Sequence, residues 1–299
     1  MNEWLLVALA LVLPPVLGSL LRGFDRILTA RMQGRFGPPL LQPVYDTIKL
    51  LAKRRMITGR MQAVSSIGYL LFIMAATVMF FLGQDLLLIV LVLGVADMFL
   101  VVGAFATRSP YSQIGANREL LQILSYEPIL IITAIGLYIA NGSFMISEIS
   151  QPLLPSLWPI FIALVLVLII LMRKSPFDIS SSEHAHQELV RGVFTEYSGI
   201  HLGLIEIAHM YELILVLGVI SLMWLPGVVP GIALALACWF LVLVIDNITA
   251  RLTWSSMLKI SWMLGLGLAL VNLIGLQCWE GLSGFCYEVP DKITLAAPF

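Results

Sequence analysis

The sequence predicts an all-α integral membrane protein of about eight transmembrane helices, and three observations carry that prediction. Hydrophobic residues make up 60% of the chain and charged residues 12%, with a mean hydropathy of +0.97; soluble domains run at about 45–50% apolar and about 25% charged. The apolar residues are gathered into runs, each near the roughly 20 residues that a helix needs to cross a bilayer. Sorting the 17 Lys and Arg residues by the loops between those runs puts all but Lys292 on one side.

The runs extend from Trp4 to Leu21, Val64 to Leu82, Leu86 to Ala106 and Leu120 to Ala140, then from Leu157 to Met172, Ile200 to Leu225, Val228 to Ile245 and Ile260 to Leu276. Pro, Gly or charged breaks such as LPGVVPG separate them. The first run has no basic residue before it and no small-residue cleavage pattern after it, so it is expected to stay as the first helix. Basic residues gather in the first loop (among them Arg31, Arg35 and Lys49) and in the third, fifth and seventh. The positive-inside rule then makes those long loops cytoplasmic and leaves both termini on the other side of the cell membrane. With no internal repeat and no linker, residues 1–299 read as a single membrane domain. In the first loop, PVYDTIKLLAKR sets Val44, Ile48 and Leu51 opposite Asp46, Lys49 and Lys53, the pattern of an amphipathic helix along the interface or against a partner.

Charge inside a span costs about 2.5–3.5 kcal/mol per group on insertion scales, so each such residue needs a reason. Asp97, Glu127, Glu206, Glu212 and Asp246 qualify. Glu206, His209 and Glu212 are three apart and follow one side of the sixth span, with Tyr211 beside them, while Glu119, Ile123 and Glu127 share a face of the fourth. One reading is a proton or ion path; the other is pairing with buried Arg or backbone amides, and for Asp246 with Arg251. The fifth loop packs Asp178, Glu183, Glu188 and Glu196 with His184 and His186. Two His at i and i+2 do not share a helix face, so docking is a stronger expectation there than a metal. Cys278 and Cys286 leave a disulfide and two free thiols equally open. No Walker A loop, GxGxxG, CxxC or HExxH is present, so no redox cofactor or nucleotide has a visible seat, and no nucleic-acid partner is expected.

The segments ARMQGRFGPPLLQPVYDTIKLLAKR, SPYSQIGANRELLQILSYEPIL and SPFDISSSEHAHQELVRGVFTEYSG together resemble the membrane subunit family shared by respiratory complex I and the energy-converting membrane-bound [NiFe] hydrogenases. The resemblance covers nearly the whole chain. Three departures favour the hydrogenase branch. Arg35-Phe36-Gly37-Pro38 runs almost directly into Leu40-Leu41-Gln42, abbreviating the quinone-chamber segment, and GANRELLQ stands where complex I usually has an alanine-rich stretch. ISSSEHAH is also longer than the acidic segment usual in complex I.

The resemblance implies a coupling protein that does not itself catalyse. It would dock a hydrophilic redox module and link ferredoxin-dependent proton reduction to H+ or Na+ translocation. The [NiFe] centre and iron-sulfur clusters would lie in partner chains: hydrogenase large and small subunits and an iron-sulfur subunit, with an antiporter-like subunit beside this one in the bilayer and ferredoxin acting indirectly. Glu119, Glu127, Glu206, His209, Glu212 and Asp97 would form the ion path; Asp178, Glu183, Glu188, Glu196 and Tyr197 the coupling loop; Arg31, Arg35, Asp46 and Lys49 the docking or charge partners. The alternatives are a complex I subunit contributing to a quinone site and a self-sufficient ion transporter.

Overall fold

A computed structural model of the chain describes residues 3–53, 59–179, 191–225 and 227–287, with side chains from 4 to 278. Every regular element among them is helical: α1 (Glu3–Met32), α2 (Gln42–Ala52), α3 (Arg60–Phe81), α4 (Leu86–Phe105), α5 (Pro110–Asn141), α6 (Trp158–Leu171), α7 (Gly199–Leu222), α8 (Val228–Ile248), α9 (Trp254–Ile260) and α10 (Gly267–Tyr287). The π-helical stretch Ser261–Leu266 joins the last two. Helices α1, α3, α4, α5, α7, α8 and the run Trp254–Cys278 are long and apolar enough to cross a membrane. In such a medium each backbone amide must be satisfied within the protein, which helices do and open strands do not.

The fifth expected span is the exception. Helix α6 has 14 residues, about 21 Å at 1.5 Å per residue, short of the roughly 30 Å hydrocarbon layer. The irregular segment before it is packed into the bundle, with Leu153 and Leu157 buried and the Leu154 amide donating to the Met223 carbonyl (2.7 Å). Non-helical backbone is tolerated at depth only where protein covers it in this way.

Two expected spans are parts of longer helices. The first continues to Met32 and the fourth begins at Pro110. Charged residues that look like loop in the sequence stay helical because other elements pair with them: Arg22 meets Glu206 at 2.7 Å, Arg26 meets Asp46 at 2.8 Å and Glu119 meets Arg173 at 2.9 Å. The last span also begins earlier, at Trp254, where the Thr253 hydroxyl accepts from the Ser256 amide as an N-cap.

Helix α7 is the hub, touching α1, α2, α3, α6 and α8. The helix connections gather at two ends. At one, Lys174 reaches Asp25, Ser66 reaches His201 and the Leu252 amide donates to the Pro176 carbonyl. At the other, the α3–α4 turn bonds the 144–147 segment and Asn272 donates to the Ser156 carbonyl. Helix α2 lies against α1 and α7, its Leu50 turned to the bundle near Gly203 while Tyr45 and Ile48 stay exposed.

Prolines inside helices expose a further layer of matching. Pro15 in α1 and Pro128 in α5 each lack the amide that would bond the carbonyl four residues earlier. Those carbonyls are Leu11 and Leu124. The Tyr211 hydroxyl of α7 donates to Leu11, and the Trp262 indole N–H of the π-helical stretch donates to Leu124 (3.3 Å). Tyr211 is thereby turned to α1, away from the acids it accompanies in the sequence.

Candidate functional site

The end of α6 sets the site. Consecutive residues Arg173 and Lys174 send their side chains into different parts of the bundle. Arg173 Nη2 bonds Glu119 Oε1 of α5 at 2.9 Å, Arg173 Nη1 lies 2.6 Å from His209 Nε2 of α7, and the guanidinium carbon sits 5.4 Å from the Phe194 ring. Lys174 Nζ instead pairs with Asp25 of α1 (3.0 Å) and Asp246 of α8 (3.3 Å). Asp246 also accepts from the Ser175 amide at 2.9 Å. The expected Asp246–Arg251 pair gives way to Lys174 on one side and to an Arg251–Asp178 pair at 2.5 Å on the other; a buried lysine brings charge to Asp246 from another helix, which sequence proximity to Arg251 hides.

Burial works against the Arg173 charge, but Glu119 and then Glu212 more than offset it, so the guanidinium is held charged more firmly than a free arginine. Beyond it the row continues without cations. Tyr69 of α3 donates to Glu212 Oε2 at 3.1 Å, and its ring meets His209 edge-on with centroids 5.7 Å apart. Asp97 of α4, 2% exposed, accepts from the Tyr126 hydroxyl of α5. Glu119, His209, Glu212, Asp97 and their two tyrosines thus fill the interior shared by α3, α4, α5 and α7.

A cavity of about 520 Å³ opens against this row. Arg22, Glu206, Arg173, His209 and Glu212 line it, as do Asp25, Lys174 and Asp246, with Arg35, Asp178 and Arg191 also on its wall. Trp239 of α8 lines it too, with a buried indole N–H that has no partner among the described residues. A polar cavity of that size with an unmatched donor is a place for water, which binds where two or more polar partners converge.

The remaining expected residues fall elsewhere. Glu127 is half-buried and packs on Gly94 of α4, where any Cβ would collide with its carboxylate; it makes no bond to the row among the described residues. Glu196 is exposed, whereas Tyr197 is buried with its hydroxyl 3.2 Å from Ser65 Oγ; burial raises the Tyr197 phenol above its ordinary range and the Ser65 bond partly opposes this. Arg31 stacks on Phe36 at 5.6 Å, Arg35 donates to Gln33, and Lys49 is exposed. Glu183 and Glu188 lie outside the described residues, as does the Cys286 side chain; Cys278 is exposed. Among the described residues no three His, Cys, Asp or Glu side chains group as metal ligands would.

Asp25, Arg173, Lys174, Tyr69 and Tyr126 join the site although the sequence pattern does not point to them. Asp25 sits in RGFDR and the two cations in LMRKSP, which read as boundary anchors. A lone Tyr in the apolar run around Tyr69 was the available hint, since a buried phenol needs a partner.

Fold and site together define a multi-pass membrane protein with a cross-helix row of buried acids opening on a charged cavity. The chain belongs to the NADH dehydrogenase family, whose sequence profile matches residues 4–277. It is 28% identical to the H subunit of NADH-quinone oxidoreductase from Thermomicrobium roseum over 84% of this chain and 87% of that one. It is 30% identical to formate hydrogenlyase subunit 4 of Escherichia coli over 89% and 96%. Among solved structures it resembles a chain of the membrane-bound sulfane sulfur reductase, an archaeal respiratory membrane complex, with a TM-score of 0.81 and 26% identity over 92% of this chain and all of that one.

Proposed function

We propose that this chain is the coupling membrane subunit of an energy-converting [NiFe] hydrogenase, carrying protons or sodium ions in response to ferredoxin-dependent proton reduction in a docked module. The observation that carries the reading is the wall of the cavity. Acids and bases from α1, the end of α6, α7 and α8 face it beside apolar side chains such as Leu168, Leu213 and Val216, and the charged groups favour water over an apolar ligand on their part of the wall, because a charge stripped of water without a new partner is costly. A hydrated cavity leading to Glu212 suits proton entry instead. The abbreviated segment from Arg35 to Gln42 and the likeness to formate hydrogenlyase subunit 4 support the same branch.

On this reading Glu119, Glu206, His209, Glu212 and Asp97 form the path, with Glu127 as its lateral member. Asp178, Glu196 and the loop between them face the module. The positive-inside bias sets the cavity mouth on the cytoplasmic side and both termini opposite, with residues 1–299 as one membrane domain spanning eight times. Partner chains hold the [NiFe] centre and clusters. The rival reading, a complex I subunit at a quinone site, is favoured by the NADH-quinone oxidoreductase relatives, at 28% and 27% identity.

Purification of the native complex through a tag on this chain separates the two. Nickel, iron and ferredoxin-linked hydrogen evolution in the purified complex are the expected result. A nickel-free assembly that reduces quinone, with an inhibitor of that reaction bound at the cavity, would move the chain to the rival reading.

A further inference from the structure

We infer that Arg173 is a movable positioning cation, seated between Glu119 and His209 only while His209 is neutral and displaced towards the cavity when His209 takes a proton. The inference rests on the coupling reading above and gives the row its entry step.

A guanidinium offers only donors. At 2.6 Å from Arg173 Nη1, His209 Nε2 is therefore an acceptor, so the ring is neutral with its hydrogen on Nδ1. A proton arriving on Nε2 removes that acceptor and sets two cations against each other at hydrogen-bond distance. The seat holds one positive charge, not two. The groups around it do not change that count: Glu119 from α5 already bonds Arg173, Tyr69 from α3 and Phe194 meet the His209 ring by their edges, and Arg22 from α1 adds a further positive charge. Glu206 and Glu212, on the same helix as His209, are bonded to Arg22 and Tyr69, and Asp97 of α4 to Tyr126.

The exit is built. Arg173 itself lines the cavity, where Glu206 and Glu212 can receive it. Its backbone has φ of +50°, the left-handed residue of the Schellman cap that ends α6, in which the Arg173 and Lys174 amides donate to the Ile170 and Ile169 carbonyls. Glu119 Oε2 is buried with no hydrogen-bond partner among the described residues, an open acceptor beside the seat. With Arg173 withdrawn, the N–H bond on His209 Nε2 breaks as an O–H bond forms on Glu119, leaving a neutral imidazole and a neutral carboxylic acid. One proton has entered from the cavity, and no other reactant is consumed. The restored neutral ring readmits Arg173, which then displaces the proton from Glu119 towards Glu212 and Tyr69.

The test uses the tagged native complex in vesicles, recording ion-gradient formation per electron transferred across a range of pH. Wild type should show one titration, with the protonated fraction of a single group changing by about tenfold per pH unit away from its midpoint. His209→Gln keeps an acceptor for Arg173 but takes no proton, so its profile should be flat across the range. A wild-type titration in His209→Gln would overturn the inference. Should that variant fail to assemble, Arg173→Lys decides: an ammonium at Glu119 no longer spans to His209, so the ring takes its proton unopposed and the midpoint of the titration should move to higher pH; an unmoved midpoint overturns the inference. Absence of any gradient from the wild-type complex would sink the coupling reading itself.

Discussion

The carboxylates at the two ends of the site are held in different ways. Near the cavity mouth Asp25, Asp246, Asp178 and Glu206 each lie against a Lys or Arg. Deeper in, Glu212 and Asp97 are met by tyrosine hydroxyls. A carboxylate with a cation is fixed in charge, because taking a proton breaks the ion pair. One with only a phenol beside it exchanges a proton while keeping its hydrogen bond. Glu119, cation-bound on one oxygen and unpartnered on the other, stands at the boundary. On the coupling reading the salt-bridged mouth holds its charges, with Glu206 as the entry to the path, and the tyrosine-met interior is where protons would exchange.

That contrast predicts a graded set of outcomes. Arg173→Ala should be the most damaging, leaving Glu119 as an unpaired buried charge at about 3–5 kcal/mol, seen as loss of assembled complex and of thermal stability in detergent. Glu212→Gln keeps shape and should leave the module's electron transfer in place while lowering gradient formation per electron by about a hundredfold, the low side of what a positioned general acid or base contributes; intact coupling would erase the distinction between mouth and interior. Tyr69→Phe removes one hydrogen bond to a carboxyl and should cost about 1.5–3 kcal/mol in thermal stability. Trp262→Phe uncovers the Leu124 carbonyl and should cost about 0.6–1.7 kcal/mol. Arg26→Ala breaks a pair whose side chains are both 43% exposed and should change stability by no more than about 1 kcal/mol.

The helices were legible because lipid imposes a length and a polarity that a linear chain displays directly. Glu206, Glu212 and Asp97 were legible for the same reason, as charges where none belong, and Glu119 through the helix face it shares with Glu127. Their partners were not. Tyr69 and Tyr126 matter only once α3 is known to face α7 and α4 to face α5, and Arg173 and Lys174 resemble any basic pair at a membrane boundary until their side chains are seen to diverge. The short fifth helix matches its apolar run to within a residue at each end, Trp158–Leu171 against Leu157 to Met172; the buried irregular segment before it, with Leu153, carried no such signal. The bond from Trp262 to the Leu124 carbonyl released by Pro128 joins residues 138 positions apart, a distance that no local pattern bridges.

The cavity also bears on how the protein meets the electrical potential of an energised membrane. Glu212 lies 13 residues along α7 from Gly199, about 20 Å of helix, yet it lines the same water-holding space as Arg22 and Lys174 at the bundle's end. Water conducts the potential of its own compartment inward, so the voltage drop is compressed into the protein beyond the cavity. On the coupling reading, an ion that reaches Glu212 would have crossed little of the field, and nearly all of the roughly 2.3 kcal/mol per charge for each 100 mV would be met in the tyrosine-held interior.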